Sequence, residues 1–192
     1  MKSNSNFAPH SLLPRLKREK TLLLIVDLQE RLMPAIDNAA EVEKNCVLLA
    51  RAGVQLKIPI VITEQNPARL GSTLPSILEI VSDNQPIPKM SFSACTPSTL
   101  NAIAASGRDT ILICGVESHV CVLQTALDLL QGEYSVFGVR DAIASRTLEN
   151  AQIGWERMMY AGVLPTSTES AIFELLGEAG TPDFKALLPF LK

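Results

Sequence analysis

The sequence predicts a single α/β domain of three layers, in which helices cover both faces of a six-stranded, mostly parallel sheet. Three observations predict this fold class. Short apolar runs rich in β-branched residues alternate along the chain with longer segments of helical period, as in parallel strands joined by helices. The chain has 192 residues, 47% of them apolar, which is enough for one domain with a full core. No internal repeat or linker divides the sequence into two domains.

Six apolar runs are predicted to form the strands of this sheet. The first run, LLLIVD, is apolar up to its last residue, as expected for a strand that is buried on both faces. The sixth run is brief and begins with a glycine. In chain order, the predicted strands are residues 22–27, 58–63, 86–89, 110–114, 135–139 and 162–165.

Segments of helical period lie between the predicted strands. Glycines near their C-terminal ends are interpreted as stop signals, because glycine readily adopts the left-handed conformation that ends helices. These glycines are Gly53, Gly107, Gly132 and Gly162. The predicted helices are residues 39–53, 97–106, 119–131, 147–161 and 167–176. Residues 1–20 are predicted to form an N-terminal arm, and residues 21–192 the domain.

Composition and charge argue against several classes of protein. The formal net charge is −3, and lysines and arginines are scattered, which is not the pattern of a nucleic-acid-binding protein. No apolar run approaches the roughly 18 residues of a membrane span, and residues 1–20 lack the apolar segment of a signal peptide. We therefore expect a cytoplasmic protein with no nucleic-acid or membrane partner. A mean hydropathy of +0.21 indicates additional buried surface, as in a homo-oligomer.

The cysteines are expected to be free thiols, because they have no CxxC spacing and the chain has no secretory signal. They are Cys46, Cys95, Cys114 and Cys121. Cys46 lies in a helical pattern and Cys114 in a strand, where a small buried apolar residue is the ordinary interpretation. Cys95, in FSACTP, precedes a helix, and its role stays open.

Three residues that bear reactive groups are expected at the carboxyl ends of the strands, where open α/β sheets bind ligands. Asp27 closes LLLIVD, Lys89 closes PIPK, and Cys121 follows ILICG. Taken singly, Asp27 could instead cap a helix, and Lys89 could be a solvated charge at a strand end. As a pair, a buried aspartate and a buried lysine would each offset the other's desolvation.

Cys121 is expected near the start of a helix, with Ser118 as the N-cap. At the third helical position its thiol would lie near unpaired N–H groups and Lys89, and both would favour loss of its proton. The alternative is that Cys121 fills the core. That alternative is weaker because Cys121 lies off the apolar stripe of the helix. The stripe consists of Val120, Leu123, Leu127 and Leu130.

Neither a metal site nor a phosphate-binding loop is expected. His119 lies two residues from Cys121, so the two side chains point about 200° apart on a helix and do not form a Cys–His dyad. The remaining histidine, His10, belongs to the arm. The first strand runs into DLQERLMP without a glycine-rich phosphate motif. We therefore expect no cofactor and no metal.

An ordered set of motifs resembles the isochorismatase-like cysteine hydrolases. The set comprises DLQ, TEQNPARLGSTLPS, PKMSFSA, GVESHVCVLQTALDLL and VRDAIASR, and the similarity spans about residues 21–174. The second motif is similar to that of the small-hydrolase branch that includes isochorismatase-domain-containing proteins. The resemblance implies the Rossmann-like fold of that family, a small-molecule substrate, and a dimer or tetramer.

The resemblance also implies a catalytic triad of Asp27, Lys89 and Cys121. A cis peptide bond is implied between Val116 and Glu117, which would aim the Glu117 N–H, together with that of Cys121, at an oxyanion. Nicotinamidases of the family bind a metal after the second strand, whereas this sequence has TEQNP there. Isochorismatases that cleave a vinyl ether commonly lack the cysteine, so Cys121 favours acyl chemistry on an amide, carbamoyl or ester group.

The expected reaction is hydrolysis through a thioester on Cys121, with Asp27 as the proton acceptor and Lys89 favouring the thiolate. By position alone, Leu28, Gln65, Phe92 and Glu117 are expected to line the substrate pocket. Three alternatives stay open at this point. They are vinyl-ether hydrolysis, a non-catalytic oligomeric binding protein of the same fold, and a redox sensor based on Cys121.

Overall fold

The computed structural model describes residues 15–191. Within this range the chain forms one sheet of six strands, and every pairing between neighbouring strands is parallel. The strand order is β3, β2, β1, β4, β5, β6. The predicted α/β class is confirmed. The strands are β1 Thr21–Val26, β2 Ile60–Gln65, β3 Ile87–Lys89, β4 Thr110–Val116, β5 Ser135–Ala144 and β6 Leu164–Thr166.

Eight α-helices lie between and after the strands within residues 15–191. Three of them, α2, α3 and α8, were not predicted, because segments of four to six residues are too short to show a helical period. Each of these three begins with a proline, which is favoured at the first helical position. The helices are α1 Ala39–Leu56, α2 Pro67–Leu70, α3 Pro75–Leu78, α4 Pro97–Ser106, α5 Leu123–Gln131, α6 Leu148–Ala161, α7 Thr168–Leu176 and α8 Pro182–Leu187.

The sheet separates two apolar cores. Alternate residues of each strand face opposite sides, so Leu23 and Ile25 of β1 join one core while Leu22 and Leu24 join the other. The first core lies under α1, α3, α7 and α8. The second lies under α4, α5 and α6. Both faces of the sheet are therefore covered, as predicted for three layers.

One of the four predicted glycine stops is wrong. Helix α1 continues past Gly53 to a left-handed Lys57, and a Cβ at Gly53 would lie 2.8 Å from Ile60 Cδ1. Gly53 therefore serves close packing against β2. Gly132 ends α5 as predicted, with a φ of −79°. Gly107 and Gly162 end α4 and α6 in the left-handed conformation, as predicted.

The segment that carries Cys121 differs most from its prediction. Residues Ser118–Val122 form a π-helical turn, and α5 begins only at Leu123. The N-cap of this turn is Glu117, not Ser118. The Ser118 hydroxyl instead donates to the Ala151 carbonyl at 2.9 Å. Cys121 also lies in the second core, so the expectation that it avoids the buried face is wrong.

Residues 15–20 pack on the body of the domain. Leu16 is buried in the first core, Arg15 pairs with Glu174, and Arg18 pairs with Asp183. The rest of the predicted arm, including His10, lies outside the described residues. A search of the described helices finds none that is long and apolar enough to cross a membrane.

The strand order creates a reversal point between β1 and β4. Chain connections lead from β1 outward to β2 and β3 on one side, and from β4 outward to β5 and β6 on the other. Such a point is where ligands bind in open α/β sheets. Gly115, near the end of β4, has a φ of 116°, and a Cβ there would overlap the Val26 carbonyl oxygen. Glycine thus lets the ends of β1 and β4 approach closely.

Candidate active site

Asp27 follows β1 directly at this reversal point. Its φ is 54°, its side chain has no exposed surface, and both carboxylate oxygens have partners. Oδ1 accepts from the Thr63 hydroxyl at 2.8 Å, and Oδ2 accepts from Lys89 Nζ at 2.6 Å. Thr63 lies on β2, next to β1, and Lys89 lies on β3, so residues of two other strands hold the carboxylate.

Lys89 ends β3, the edge strand two places from β1. Its side chain is fully buried and reaches past β2 to Asp27. Besides Asp27, its ammonium donates to Gln65 Oε1 at 2.8 Å, to the Phe92 carbonyl at 3.0 Å and to the Ser91 carbonyl at 3.3 Å. A lysine ammonium has three N–H groups. Protein oxygens therefore use its whole donor capacity.

Cys121 lies in the π-helical turn with 6% of its surface exposed. Burial raises the pKa of its thiol to about 12, the charge of Asp27 and a hydrogen bond to it add to the rise, and the Lys89 ammonium opposes it. The charges of both members of the ion pair therefore act on the thiol. The expectation that Cys121 loses its proton easily is wrong, because desolvation outweighs the ammonium.

Glu117 lies between β4 and the π-helical turn. Its peptide bond with Val116 is cis. Its side chain is buried, and Oε2 accepts from the backbone N–H and from Nε of Arg146, each at 3.0 Å. Next along the turn, His119 Nδ1 shares a hydrogen bond of 2.9 Å with the Ser145 hydroxyl. The segment after β5 therefore holds the segment after β4 at two adjacent points.

Helix α6 supports the same turn from outside. A Cβ at Gly154 would lie 2.6 Å from the His119 nitrogen and 2.7 Å from the Ser118 carbonyl carbon. These are backbone atoms, which cannot rotate away. Because glycine has no Cβ, α6 packs directly against the turn that carries Cys121.

The predicted pocket residues have different surroundings. Leu28 has no exposed surface and belongs to the first core, so the expectation that it lines a pocket is not met. The Phe92 side chain is 55% exposed beside the carbonyl that binds Lys89. Gln65 is half-buried and binds Lys89. Glu117 is buried against Arg146.

Sequence reasoning missed Thr63, Ser145 and Arg146. Thr63 is the last residue of the second predicted strand. A hydroxyl at that strand end could have indicated a residue of the site. Ser145 and Arg146 were missed because β5 was predicted to end at residue 139. Its continuation through the exposed Arg140 and Asp141 interrupts the apolar pattern on which that prediction relied.

Nicotinamidases were expected to differ from this chain after β2, where they bind a metal. In this structure the end of β2 forms hydrogen bonds with other protein groups. Glu64 Oε1 accepts from the backbone N–H and the hydroxyl of Thr73, at 2.6 and 2.8 Å. Within residues 15–191, no group of three or more His, Cys, Asp or Glu side chains is arranged to hold a metal ion. All four cysteines are free, as predicted.

Comparison with known proteins gives matches over most of the chain. A sequence model of the isochorismatase domain matches residues 21–170. The secreted isochorismatase effector Isc1 of Phytophthora sojae is 37% identical over 185 residues, which cover 94% of this chain and 88% of the effector.

Solved structures match equally broadly. The MAR1 ribonuclease of Caenorhabditis elegans superimposes with a TM-score of 0.89 at 32% identity, covering 93% of this chain and 92% of that one. The YcaC gene product of Escherichia coli, described as an octameric hydrolase of unknown specificity, gives a TM-score of 0.82 at 22% identity. It covers 91% of this chain and 95% of its own, and the likeness is one of fold.

Proposed function

The chain belongs to the isochorismatase domain family and has its hydrolase fold, and from this premise we propose that it hydrolyses a small non-peptide amide, carbamoyl or ester group with Cys121 as the nucleophile. The observation that supports this proposal is the buried ion pair of Asp27 and Lys89, 2.6 Å apart, whose two charges both act on the pKa of the Cys121 thiol. The proposed triad is Asp27, Lys89 and Cys121.

Asp27 is the proposed general base. At neutral pH the thiol keeps its proton, because burial raises the pKa of Cys121 to about 12. A thiol is a weak nucleophile, so a base must remove the proton as the sulfur attacks. The Asp27 carboxylate is the neighbouring anion, and Thr63 and Lys89 fix its orientation.

Lys89 is proposed to act through its charge. Burying a carboxylate and an ammonium costs several kcal/mol for each ion, and their close pairing offsets much of that cost. Because the ammonium donates to four protein oxygens, Lys89 has no N–H left for a substrate. Its positive charge stabilises the anionic sulfur that forms during attack.

The proposed reaction has two halves. The Cys121 sulfur attacks the substrate carbonyl while its proton moves to Asp27, and the N–H groups of Glu117 and Cys121 bind the resulting oxyanion. Asp27 then gives the proton to the leaving amine or alcohol, and a thioester remains on Cys121. Asp27 then takes a proton from water as the water oxygen attacks the thioester carbonyl, the C–S bond breaks and the acid is released, and Asp27 returns the proton to the Cys121 sulfur.

The environment of Cys121 disfavours a redox-sensing role. Sensor cysteines combine exposure with a low pKa, whereas Cys121 is buried and burial raises its pKa. Vinyl-ether hydrolysis and a non-catalytic role are separated from the proposal by experiment, since neither forms a covalent bond to Cys121.

The test is acylation by p-nitrophenyl acetate, measured as nitrophenolate release and as the mass of the intact protein. Hydrolysis of a panel of small amides and carbamoyl compounds is measured as well. We expect one acetyl group on Cys121 and its loss in Cys121→Ala. The control variant is Cys95→Ala, which alters another free thiol and keeps the acylation. Equal nitrophenolate release by Cys121→Ala and the unaltered protein would refute the proposal.

We further propose that the protein is a cytoplasmic homo-oligomer. Several large apolar side chains are more than two-fifths exposed, which is typical of surfaces buried between subunits. They are Val54, Met90, Phe92, Leu148, Ile153, Tyr160, Phe173 and Phe190. Light scattering coupled to size-exclusion chromatography measures the assembly, and a monomer at micromolar concentration would contradict it. Cell fractionation tests the compartment.

A further inference from the structure

Gln65 is the last residue of β2, the strand that lies between β1 and β3. Its side-chain amide forms hydrogen bonds with two groups at the C-terminal end of β3. Oε1 accepts from Lys89 Nζ at 2.8 Å, and Nε2 donates to the Met90 carbonyl at 2.9 Å. The second bond fixes which end of the amide faces the lysine, because only the oxygen can accept from an ammonium.

The backbone of Gln65 is also fixed. Gln29 accepts from the Gln65 N–H at 2.8 Å and donates to the Gln65 carbonyl at 3.1 Å. Gln65 itself is half-buried, so its amide is partly shielded from water. Its oxygen is therefore held in place before any substrate binds.

The position of the Lys89 ammonium depends on these contacts. Asp27, Gln65, Ser91 and Phe92 all supply acceptors within 3.3 Å. Asp27 alone carries a charge among these four. The neutral acceptors therefore fix the direction of the ammonium without competing with Asp27 for its charge.

We propose that Gln65 is a positioning residue of the reaction, whose amide holds the Lys89 ammonium against Asp27 beside the Cys121 sulfur. This inference rests on the proposed function. It replaces the expectation that Gln65 contacts substrate. A substrate contact and a positioning contact have different kinetic signatures, because loss of uniform substrate binding raises KM while loss of positioning lowers kcat.

The charge of the residue at position 65 matters as well as its shape. A glutamate would keep the acceptor oxygen but add a second negative charge next to the ion pair. Added negative charge makes neighbouring acids harder to deprotonate. With glutamate at position 65, the acidic limb of the pH–rate profile should therefore move to higher pH. With methionine, an apolar residue of similar length, the rate should be lower at every pH.

The experiment measures the rate of Cys121 acylation by p-nitrophenyl acetate from pH 6 to pH 9 in Gln65→Met and Gln65→Glu. For Gln65→Met we expect a maximal rate at least about tenfold lower at every pH, with the half-saturating concentration changed less than about threefold. For Gln65→Glu we expect the acidic limb about one pH unit higher, and a rate at pH 9 above that of Gln65→Met.

Gln29→Met is the matched control, because Gln29 supports the same strand end through the Gln65 backbone. We expect it to lower the melting temperature and to leave the pH profile in place. If Gln29→Met does not fold, the contrast between Gln65→Met and Gln65→Glu still decides, and circular dichroism reports their folding.

Each outcome separates the inference from the proposed function. If the unaltered protein is not acylated on Cys121, the proposed function fails. If it is acylated and Gln65→Met keeps its maximal rate within about twofold, the positioning role fails. A change in half-saturation alone would show a substrate contact instead. If Gln65→Glu does not fold, the maximal rate of Gln65→Met decides by the twofold limit given above. If Gln65→Met does not fold, the pH profile of Gln65→Glu decides, and an unmoved profile of that variant overturns the inference.

Discussion

The Cys121 thiol combines a buried position with two charged neighbours of opposite sign. Burial is the largest effect and raises its pKa to about 12, and the Asp27 charge acts in the same direction against the Lys89 ammonium. Its environment therefore differs from that of cysteines that are ionised at rest. In the proposed reaction the proton leaves as the sulfur attacks, so the thiol and its proposed base, Asp27, act as a unit.

Asp27→Asn should have opposite effects on the alkylation of Cys121 and on the hydrolysis of substrate. Removing the carboxylate's negative charge lowers the pKa of Cys121. Each unit by which this pKa falls raises the fraction of thiolate at a given pH by about tenfold. We expect faster alkylation of Cys121 by iodoacetamide at pH 8, together with hydrolysis slower by at least about 100-fold, because the base is lost. Peptide mass spectrometry and the acylation assay measure the two rates.

Cys95 is the internal control in the same sample. It is partly buried, burial raises its pKa to about 11, and it contacts Thr125 rather than Asp27. Its alkylation rate should not change in Asp27→Asn. Slower or unchanged alkylation of Cys121 in this variant would mean that the Asp27 charge does not act on the sulfur.

Single residues show what the sequence could predict about the site. Asp27, Lys89 and Cys121 are candidate site residues from sequence because each follows an apolar run that ends at the same edge of the sheet. The pKa of Cys121 was not predictable, because its desolvation depends on distant segments that pack over it. The burial of Leu28 was not predictable either, because adjacent residues after a strand can face opposite directions.

At the scale of secondary structure, close packing of α6 on the π-helical turn sets the position of Cys121. Alanine is normally preferred over glycine inside a helix by about 1 kcal/mol. At Gly154 the new Cβ would meet backbone atoms of Ser118 and His119 at 2.6 to 2.7 Å. The steric effect should therefore reverse the usual preference.

Gly154→Ala should lower both stability and acylation. We expect a loss of about 1–3 kcal/mol in the free energy of unfolding, and a lower acylation rate because the turn with Cys121 must shift. Gly132→Ala is the control, since its Cβ would have nearest contacts at 3.4 Å, and its φ is −79°. Urea denaturation measures both variants. A stabilised Gly154→Ala would contradict the close contact.

The helices differ in how far sequence predicted them. Residues 97–106 were predicted with the observed ends of α4, because a proline begins the helix and Gly107 ends it. Helix α5 was predicted four residues too early at its start, since apolar spacing does not distinguish a π-helical turn from an α-helix. Local sequence signals therefore define the ends of α4, whereas tertiary contacts decide where α5 begins.

At the scale of the molecule, the packed chain extends beyond the family match at residues 21–170. Leu16 is 3% exposed before that range, and Leu187 is 2% exposed after it. Both belong to the first core, so the two flanks close the same face of the sheet. The predicted start of the domain at residue 21 therefore leaves out a buried side chain.

Leu16→Ala should destabilise the protein as a core substitution does. Deleting a buried leucine side chain costs about 2–5 kcal/mol, and we expect a loss in this range from urea denaturation. Lys17→Ala is the neighbouring control, because the Lys17 side chain is exposed, and it should change stability by less than about 0.5 kcal/mol. Equal effects of the two variants would mean that Leu16 is not packed in solution.

The division of the apolar interior by the sheet has a consequence for engineering. Cys121 lies with α5 and α6 on one side, whereas α1, α7 and α8 fill the other. Substitutions far apart with no shared neighbours combine additively. Thermostabilising changes can therefore be accumulated beneath α1, α7 and α8 while the layer that contains Cys121 keeps its native sequence. That half of the molecule is then a tolerant scaffold for directed evolution of new substrate ranges.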